Sequence, residues 1–246
     1  PPMMRMLAKV GYSQSYTYFT WRNFKHEITE YLTELTQSPV AEYMRPNFFP
    51  TTPDILPEFL QNGGRPAFQT RFVLAATLSS VYGMYNGYEL CENAAVPGKE
   101  EYLHSEKYDY KVWDWNRPGN IKDLIAKVNR IRRENSALHE LTNLRFYTAH
   151  DDNVLFYGKM TPDRSNMILI AVNLDPFDAH ATDLEIPLYD LGLGEHDNYI
   201  VEELISGAKH LWSGSRHHVQ VGPDTNQAMI LRVVPWHHVD FESLNA

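Results

Sequence analysis

The sequence predicts an α/β architecture followed by an all-β one: strand-helix units of a parallel sheet, as in part of a (β/α)8 TIM barrel, then an antiparallel sandwich domain. Three observations carry this. Residues 1–140 alternate aromatic or β-branched runs with amphipathic helical runs, the pattern of βα repeats over a parallel sheet. Residues 141–235 hold seven short β-prone runs between turn clusters, with no helix of comparable length, which is sandwich spacing. Residues 236–246 are left as a tail. The third observation is Asp54, where an apolar strand end gives way to helix-start residues, the position at which barrel enzymes keep acidic groups.

In chain order, Tyr16–Thr20 reads as a strand, and Asn23 as the cap of a helix with apolar positions Phe24, Ile28, Tyr31, Leu32 and Leu35. A second strand ends at Phe48-Phe49. Asn62-Gly63-Gly64 then breaks the chain, and Pro66 opens a helix through Phe68, Phe72, Ala75, Ala76 and Leu78. A third strand over Val81–Tyr85 leads into a long aromatic loop, and a helix from about Asn120 carries Ile121, Leu124, Ile125, Val128 and Ile131 on one face. Three such units cannot close an eight-stranded barrel, so the earlier strands are expected to lie outside this sequence. The first residue is Pro1, and the chain is expected to be a piece of something longer.

After Glu140 the β-prone runs are Leu144–Thr148, Val154–Gly158, Met167–Asn173, Asp183–Ile186, Tyr199–Glu203, His217–Val221 and Ala228–Val234. Turn clusters such as Asp151-Asp152-Asn153 and Thr161-Pro162-Asp163-Arg164 separate them. A domain boundary is expected near residue 141.

Asp54 admits two readings. Thr52 suits a cap, Pro53 the first helical position and Asp54 the first turn, where a carboxylate interacts favourably with the helix dipole. The alternative is a catalytic carboxylate. Around it the sequence is dense in rings, among them Tyr16, Tyr18, Trp21, Tyr85, Tyr88, Trp113 and Trp115. Such rings pack cores, and they also suit a ligand with apolar faces and hydroxyl edges, such as a sugar.

At 246 residues and 43% hydrophobic, the chain can bury a large core in two domains. A net charge of -9 without a basic stripe argues against nucleic acid, and no apolar run is long enough to span a membrane. The single cysteine, Cys91, cannot form an intrachain disulfide and is expected to fill core space in a cytoplasmic protein. Several motifs fail. His26-Glu27-Ile28-Thr29-Glu30 has a glutamate where a zinc-protease helix needs its second histidine. His217-His218 and His237-His238 lie too close together to share one metal and read as surface residues. Gly192-Leu193-Gly194 lacks the remainder of a dinucleotide loop, and Ser213-Gly214-Ser215 lacks the context of a nucleophile elbow.

Gly83–Leu90 resembles the last barrel strand of the α-amylase superfamily, and Leu124–Leu138, with Arg132-Arg133-Glu134-Asn135-Ser136-Ala137-Leu138, resembles its closing helix. Within that superfamily, four motifs resemble the α-1,4-glucan:maltose-1-phosphate maltosyltransferase family: Tyr16–Asn23, Arg45–Phe49 with Thr52-Pro53-Asp54, Tyr88–Asn93, and Ser105-Glu106-Lys107-Tyr108. The resemblance covers the chain to about residue 235 and corresponds to the C-terminal part of the family's (β/α)8 barrel and its C-terminal β domain. It implies transfer of a maltosyl unit from α-maltose 1-phosphate to the non-reducing end of an α-1,4-glucan, by a retaining double displacement in bacterial α-glucan synthesis. Such a mechanism needs a nucleophile and an acid/base about 5 to 5.5 Å apart. In the family both belong to earlier strands, so the isolated chain is expected to be inactive. Asp54 matches the third carboxylate, which stabilises the transition state. Lys107 and Tyr108 match residues that hold the maltosyl group, and Trp21 and Glu89 are further substrate-binding candidates. Thr52-Pro53-Asp54 stands where the wider superfamily has Asn-His-Asp, which favours the narrower assignment. No cofactor or metal is implied, and a homodimer is left open. The alternatives are an amylase-type hydrolase and a non-catalytic glucan-binding remnant.

Overall fold

The computed structural model describes residues 2–12, 14–107 and 109–236. Helix α1 (Pro2–Lys9) leads into strand β1 (Gln14–Tyr16), and α2 (Lys25–Gln37) and α3 (Val40–Tyr43) follow. Strand β2 (Arg45–Phe48) is followed by α4 (Glu58–Asn62) and α5 (Gly64–Leu78), then β3 (Val81–Tyr82), a long loop and α6 (Lys122–Glu134). The three strands form one parallel sheet in the order β1-β2-β3, with Gln14 opposite Arg45 and Asn47 opposite Val81. This is three βα steps of a barrel wall. Among the described residues no helix is long and apolar enough to cross a membrane.

The expected boundaries shift for identifiable reasons. The strand expected over Tyr16–Thr20 ends at Tyr16, and Tyr18–Trp21 winds into a 3-10 turn, with Thr17 Oγ1 accepting from Phe19 N at 3.4 Å. The buried Arg71 of α5 fixes that turn by donating to the Phe19 and Arg22 carbonyls. Asn23 is not the cap of α2. Phe24 stands at that position, and the Glu27 carboxylate reaches back to the backbone N–H groups of Asn23 and Phe24, at 3.2 and 3.3 Å. Gly63 alone separates α4 from α5, where a Cβ would come within 2.6 Å of Ala67 Cβ. The α5 helix starts at Gly64, two residues before Pro66.

The sandwich pairs a six-stranded antiparallel sheet with a two-stranded one. The larger contains β4 (Leu144–Tyr147), β5 (Val154–Met160), β6 (Met167–Asn173), β8 (Asn198–Glu203), β9 (Lys209–Ser213) and β11 (Ala228–Pro235), in the order β4-β5-β6-β11-β8-β9. The smaller pairs β7 (His180–Glu185) with β10 (Arg216–Val221), and a short helix, α7 (Leu188–Leu191), follows β7. All seven expected β runs are present. Strand β9 lies outside the expected runs, because at the sheet edge four of its five residues are exposed and it has no apolar alternation.

Strands β5 and β6 are buried on both faces, which is why they read as continuous apolar runs. Val154, Phe156, Leu169 and Ala171 pack toward Leu184, Val219 and Val221 of the small sheet. Leu155, Tyr157, Ile168, Ile170 and Val172 join Phe68, Phe72 and Leu138 in a second core. Polar ties cross the same seam: Tyr157 OH meets Thr77 Oγ1 at 2.5 Å, and Thr70 Oγ1 donates to the Asn173 carbonyl at 2.9 Å. Residue 141 falls between the last 3-10 turn, Ser136–His139, and β4. We propose it as the division between two architectures that share one core, rather than between two independent folding units.

Lys159 of β5 is fully buried at this seam and donates to the Glu140 carbonyl at 2.6 Å. Burial, aided by the Arg132 guanidinium, pushes its amine down from 10.5 to about 7. Between those values the unfolded chain binds a proton that the folded chain does not, so stability rises with pH through this window. Thermal melts of the protein and of Lys159→Met between about pH 7 and 9, below the range where tyrosines ionise, test this. The wild-type Tm is expected to climb more steeply with pH than that of the variant, and parallel slopes would remove the assignment.

Candidate active site

The loops that follow β1, β2 and β3 meet at the C-terminal edge of the parallel sheet. Asp54 lies in the loop after β2, in a tight turn. Thr52 N donates to the Ile55 carbonyl at 3.1 Å and Ile55 N to the Thr52 carbonyl at 3.2 Å, while Thr52 Oγ1 accepts from Asp54 N at 3.2 Å. Helix α4 begins only at Glu58, after Pro57 at its cap, so Asp54 lies outside the first helical turn, where the dipole acts. The helix-start reading of Asp54 is thereby corrected. The Pro-rich stretch that suggested it bends the chain into a turn, and the helix waits for the second proline.

Asp54 Oδ1 accepts from Lys107 Nζ at 2.6 Å, with side chains 64% and 44% exposed. An exposed pair of this kind contributes about 0–1 kcal/mol to stability, so folding does not account for the carboxylate. Lys107 reaches it because the loop after β3 is pinned onto the Asp54 turn. Buried Ser105 donates from Oγ to the Pro53 carbonyl at 3.0 Å and accepts from Lys107 N at 3.3 Å. Glu106 secures the other side, its carboxylate accepting from Asn86 Nδ2 at 2.8 Å and Trp113 Nε1 at 2.9 Å, its backbone N donating to Tyr85 OH at 3.0 Å.

Asp54 borders two hollows. One, of about 400 Å³, is walled by Tyr16, Tyr18 and Trp21. The other, of about 430 Å³, is polar, with His104, Ser105, Lys107 and Asp109 on its wall. The arrangement sets flat rings on one side of an acceptor-only carboxylate and a flexible cation on the other, which suits a neutral polyhydroxylated ligand. Of the candidates from sequence, Asp54, Lys107 and Trp21 are brought together here. Tyr108 lies outside the described residues. Glu89 lies in the 3-10 turn Tyr88–Leu90, where its carbonyl accepts from Ile121 N at 2.8 Å, and it lines neither hollow. Ser105 and Glu106 act as anchors through bonds to residues 20 or more positions away, which no local pattern displays.

The rejected motifs have plain structural roles. Among the described residues, no group of three or more His, Cys, Asp or Glu could hold a metal. His217 and His218 project to opposite faces of β10. His218 pairs with Asp183 at 2.9 Å, whereas His217, read as a surface residue, is partly buried, stacked on Trp212 with ring centroids 4.1 Å apart. His237-His238 lie outside the described residues. Burial pushes the Cys91 thiol up to about 11, which favours the protonated thiol at neutral pH.

Residues 146–233 match the family model described as "GLGE, C-terminal". The chain is 61% identical over 235 residues to the α-1,4-glucan:maltose-1-phosphate maltosyltransferase of Rhodospirillum rubrum, covering 96% of the chain and 34% of that relative. It is 54% identical to that of Myxococcus xanthus, over 93% of the chain and 34% of the relative. The chain belongs to the α-1,4-glucan:maltose-1-phosphate maltosyltransferase family. It spans about a third of the length of these curated relatives. Among solved structures, the chain resembles an α-amylase from Geobacillus thermoleovorans complexed with acarbose. There the TM-score is 0.66 at 13% identity, covering 95% of the chain and 51% of the amylase. A maltogenic α-amylase from Thermotoga neapolitana gives a TM-score of 0.66 at 15% identity, covering 93% and 52%. At such identities the likeness establishes the fold, a partial TIM barrel with an antiparallel β domain, in this maltosyltransferase-family chain.

Because the Asp54–Lys107 pair is exposed, Asp54→Asn is expected to shift Tm by less than about 4 °C, the upper shift for 1 kcal/mol in a chain of this size. A larger fall in a thermal melt would return Asp54 to a structural role.

Proposed function

We propose that this chain forms part of an enzyme that transfers maltosyl units from α-maltose 1-phosphate to the non-reducing end of an α-1,4-glucan, with Asp54 stabilising the transition state. The family match supports the reaction. The observation that carries the role of Asp54 is its placement: a solvent-facing carboxylate, outside any helix, at the C-terminal edge of the parallel sheet and fixed by a lysine from the neighbouring loop. In a retaining displacement, positive charge develops on the sugar at each transition state, and an oriented carboxylate opposes it. Lys107 keeps Asp54 aimed and offers a donor to sugar hydroxyls, with Tyr108 beside it in sequence. Trp21 offers a ring face, and Glu89 stays a candidate whose contribution would come from outside the two hollows. The nucleophile and acid/base are assigned to sequence beyond this chain, so the isolated chain is expected to release no phosphate. The same proposal includes bacterial α-glucan synthesis and a cytoplasmic location; the homodimer that the sequence leaves open is tested by sedimentation of the full-length protein.

The decisive experiment is Asp54→Asn in the full-length protein. Asparagine preserves shape and removes the charge, so kcat for phosphate release with a glucan acceptor is expected to fall by about 10²-fold or more, with the fold retained. A folded variant with near-normal turnover would end the assignment. Release of reducing sugar without need of a phosphorylated donor would instead favour the hydrolase.

A further inference from the structure

The carboxylate of Glu100 joins all three strand-end loops at one point. Its Oε2 accepts from Trp21 Nε1 at 2.7 Å, and its Oε1 accepts from Glu58 N, the first backbone N–H of α4, at 3.0 Å. Its carbonyl accepts from Leu56 N at 2.9 Å. Trp21 comes from the loop after β1, Leu56 from the loop after β2, Glu58 from the start of α4 that ends that loop, and Glu100 from the loop after β3. Gln61 reinforces the join, its Nε2 donating to the Leu56 carbonyl at 2.9 Å and the Lys99 carbonyl at 3.0 Å. Leu56 directly follows the Thr52–Ile55 turn, so the residue whose carboxylate fixes the indole is also bonded, through its backbone carbonyl, next to the turn that carries the proposed transition-state carboxylate.

An indole has one donor, and Trp21 is 37% exposed, its ring tilted by 42° against that of Tyr18 with centroids 6.2 Å apart. Without an acceptor for its N–H, such a ring samples several orientations and must be ordered when a ligand arrives. An acceptor itself held by a helix N-terminal N–H removes that freedom beforehand. We propose that Glu100 is a positioning residue: it locks the Trp21 indole as a wall of the hollow beside Asp54, presenting the ring to the face of an α-linked glucosyl unit. This inference rests on the proposed function, and the glucosyl unit belongs to the donor or to the glucan acceptor.

Glu100→Gln tests it. Glutamine offers one carbonyl oxygen to two donors, Trp21 Nε1–H and Glu58 N–H, and sets an NH₂ against the other, so the shared anchor is lost at nearly constant volume. In the full-length protein, the KM for the substrate that lies against Trp21 is expected to rise about tenfold, with kcat within about threefold. A rise in donor KM or in acceptor KM tells the two sources apart. Trp21→Phe keeps a ring and removes the N–H, so it is expected to raise the same KM, and Glu100→Gln added to it should change nothing further. Unchanged KM values in folded Glu100→Gln overturn the inference. So does an equal additional loss from Glu100→Gln in the Trp21→Phe background, which would mean that Glu100 acts through α4 alone. Should Glu100→Gln fail to fold, Trp21→Phe by itself decides, and unchanged KM values there overturn the inference. A wild-type protein without transfer activity would overturn the proposed function first, before any variant is compared.

Discussion

The bond from Ser105 Oγ to the Pro53 carbonyl is the constraint on which the candidate site depends. Asp54 is not part of a helix or a strand, so no regular backbone ladder sets its direction. Its orientation comes from a four-residue turn and from the loop laid across it. That loop is fixed at several points: Ile121 N on the Glu89 carbonyl, Gly83 N on the Phe48 carbonyl, and Trp113 against Gly87. At Gly87, φ is +89° and a Cβ would come within 2.4 Å of the Trp113 ring, so only glycine permits the approach. Ser105, held between these anchors, carries Lys107 to Asp54.

The second requirement is a rigid base under the loops. Helix α5 supplies it, because eleven of its fifteen residues are buried and it packs between the parallel sheet and the outer face of β5 and β6. Arg71 is the link from this helix to the site. Burial lowers its guanidinium to about 10, so it stays charged at neutral pH, and it lies over the Phe19 ring at 3.9 Å while binding the carbonyls on either side of Trp21. The sandwich thus stiffens the helix that stiffens the loop. This gives the β domain a mechanical part in the site without contributing a residue to either hollow beside Asp54.

Most of the architecture was legible because it rests on periodicity. The runs that became α2, α5 and α6 carry apolar residues at helical spacing, and β5 and β6 are continuous apolar stretches of strand length. Where a tertiary bond overrides propensity, the sequence misleads. Tyr18–Trp21 looks like strand and winds into a 3-10 turn because Arg71, about 50 residues away, takes its carbonyls. The site was legible in part for the same reason. Asp54 stood out among its prolines, but its two readings could be separated only by knowing that α4 starts at Glu58. Glu100 sits in a charged run, Lys99-Glu100-Glu101, that looks like any solvated surface, and its importance comes from partners 42 and 79 residues away. Lys159 is equally silent in sequence, since a lysine ending an apolar strand is ordinarily solvated.

In the proposed reaction, Asp54 and Lys107, brought together from two strand-end loops, act as one unit. A double-mutant cycle in the full-length protein measures this directly, using kcat/KM for α-maltose 1-phosphate in wild type, Asp54→Asn, Lys107→Ala and the double variant. If Lys107 works by holding and complementing the Asp54 carboxylate, the double variant loses less than the two single losses combined, with a coupling of about 1 kcal/mol or more. Strict additivity, with all four proteins folded, would show that the two residues act independently and would contradict the account.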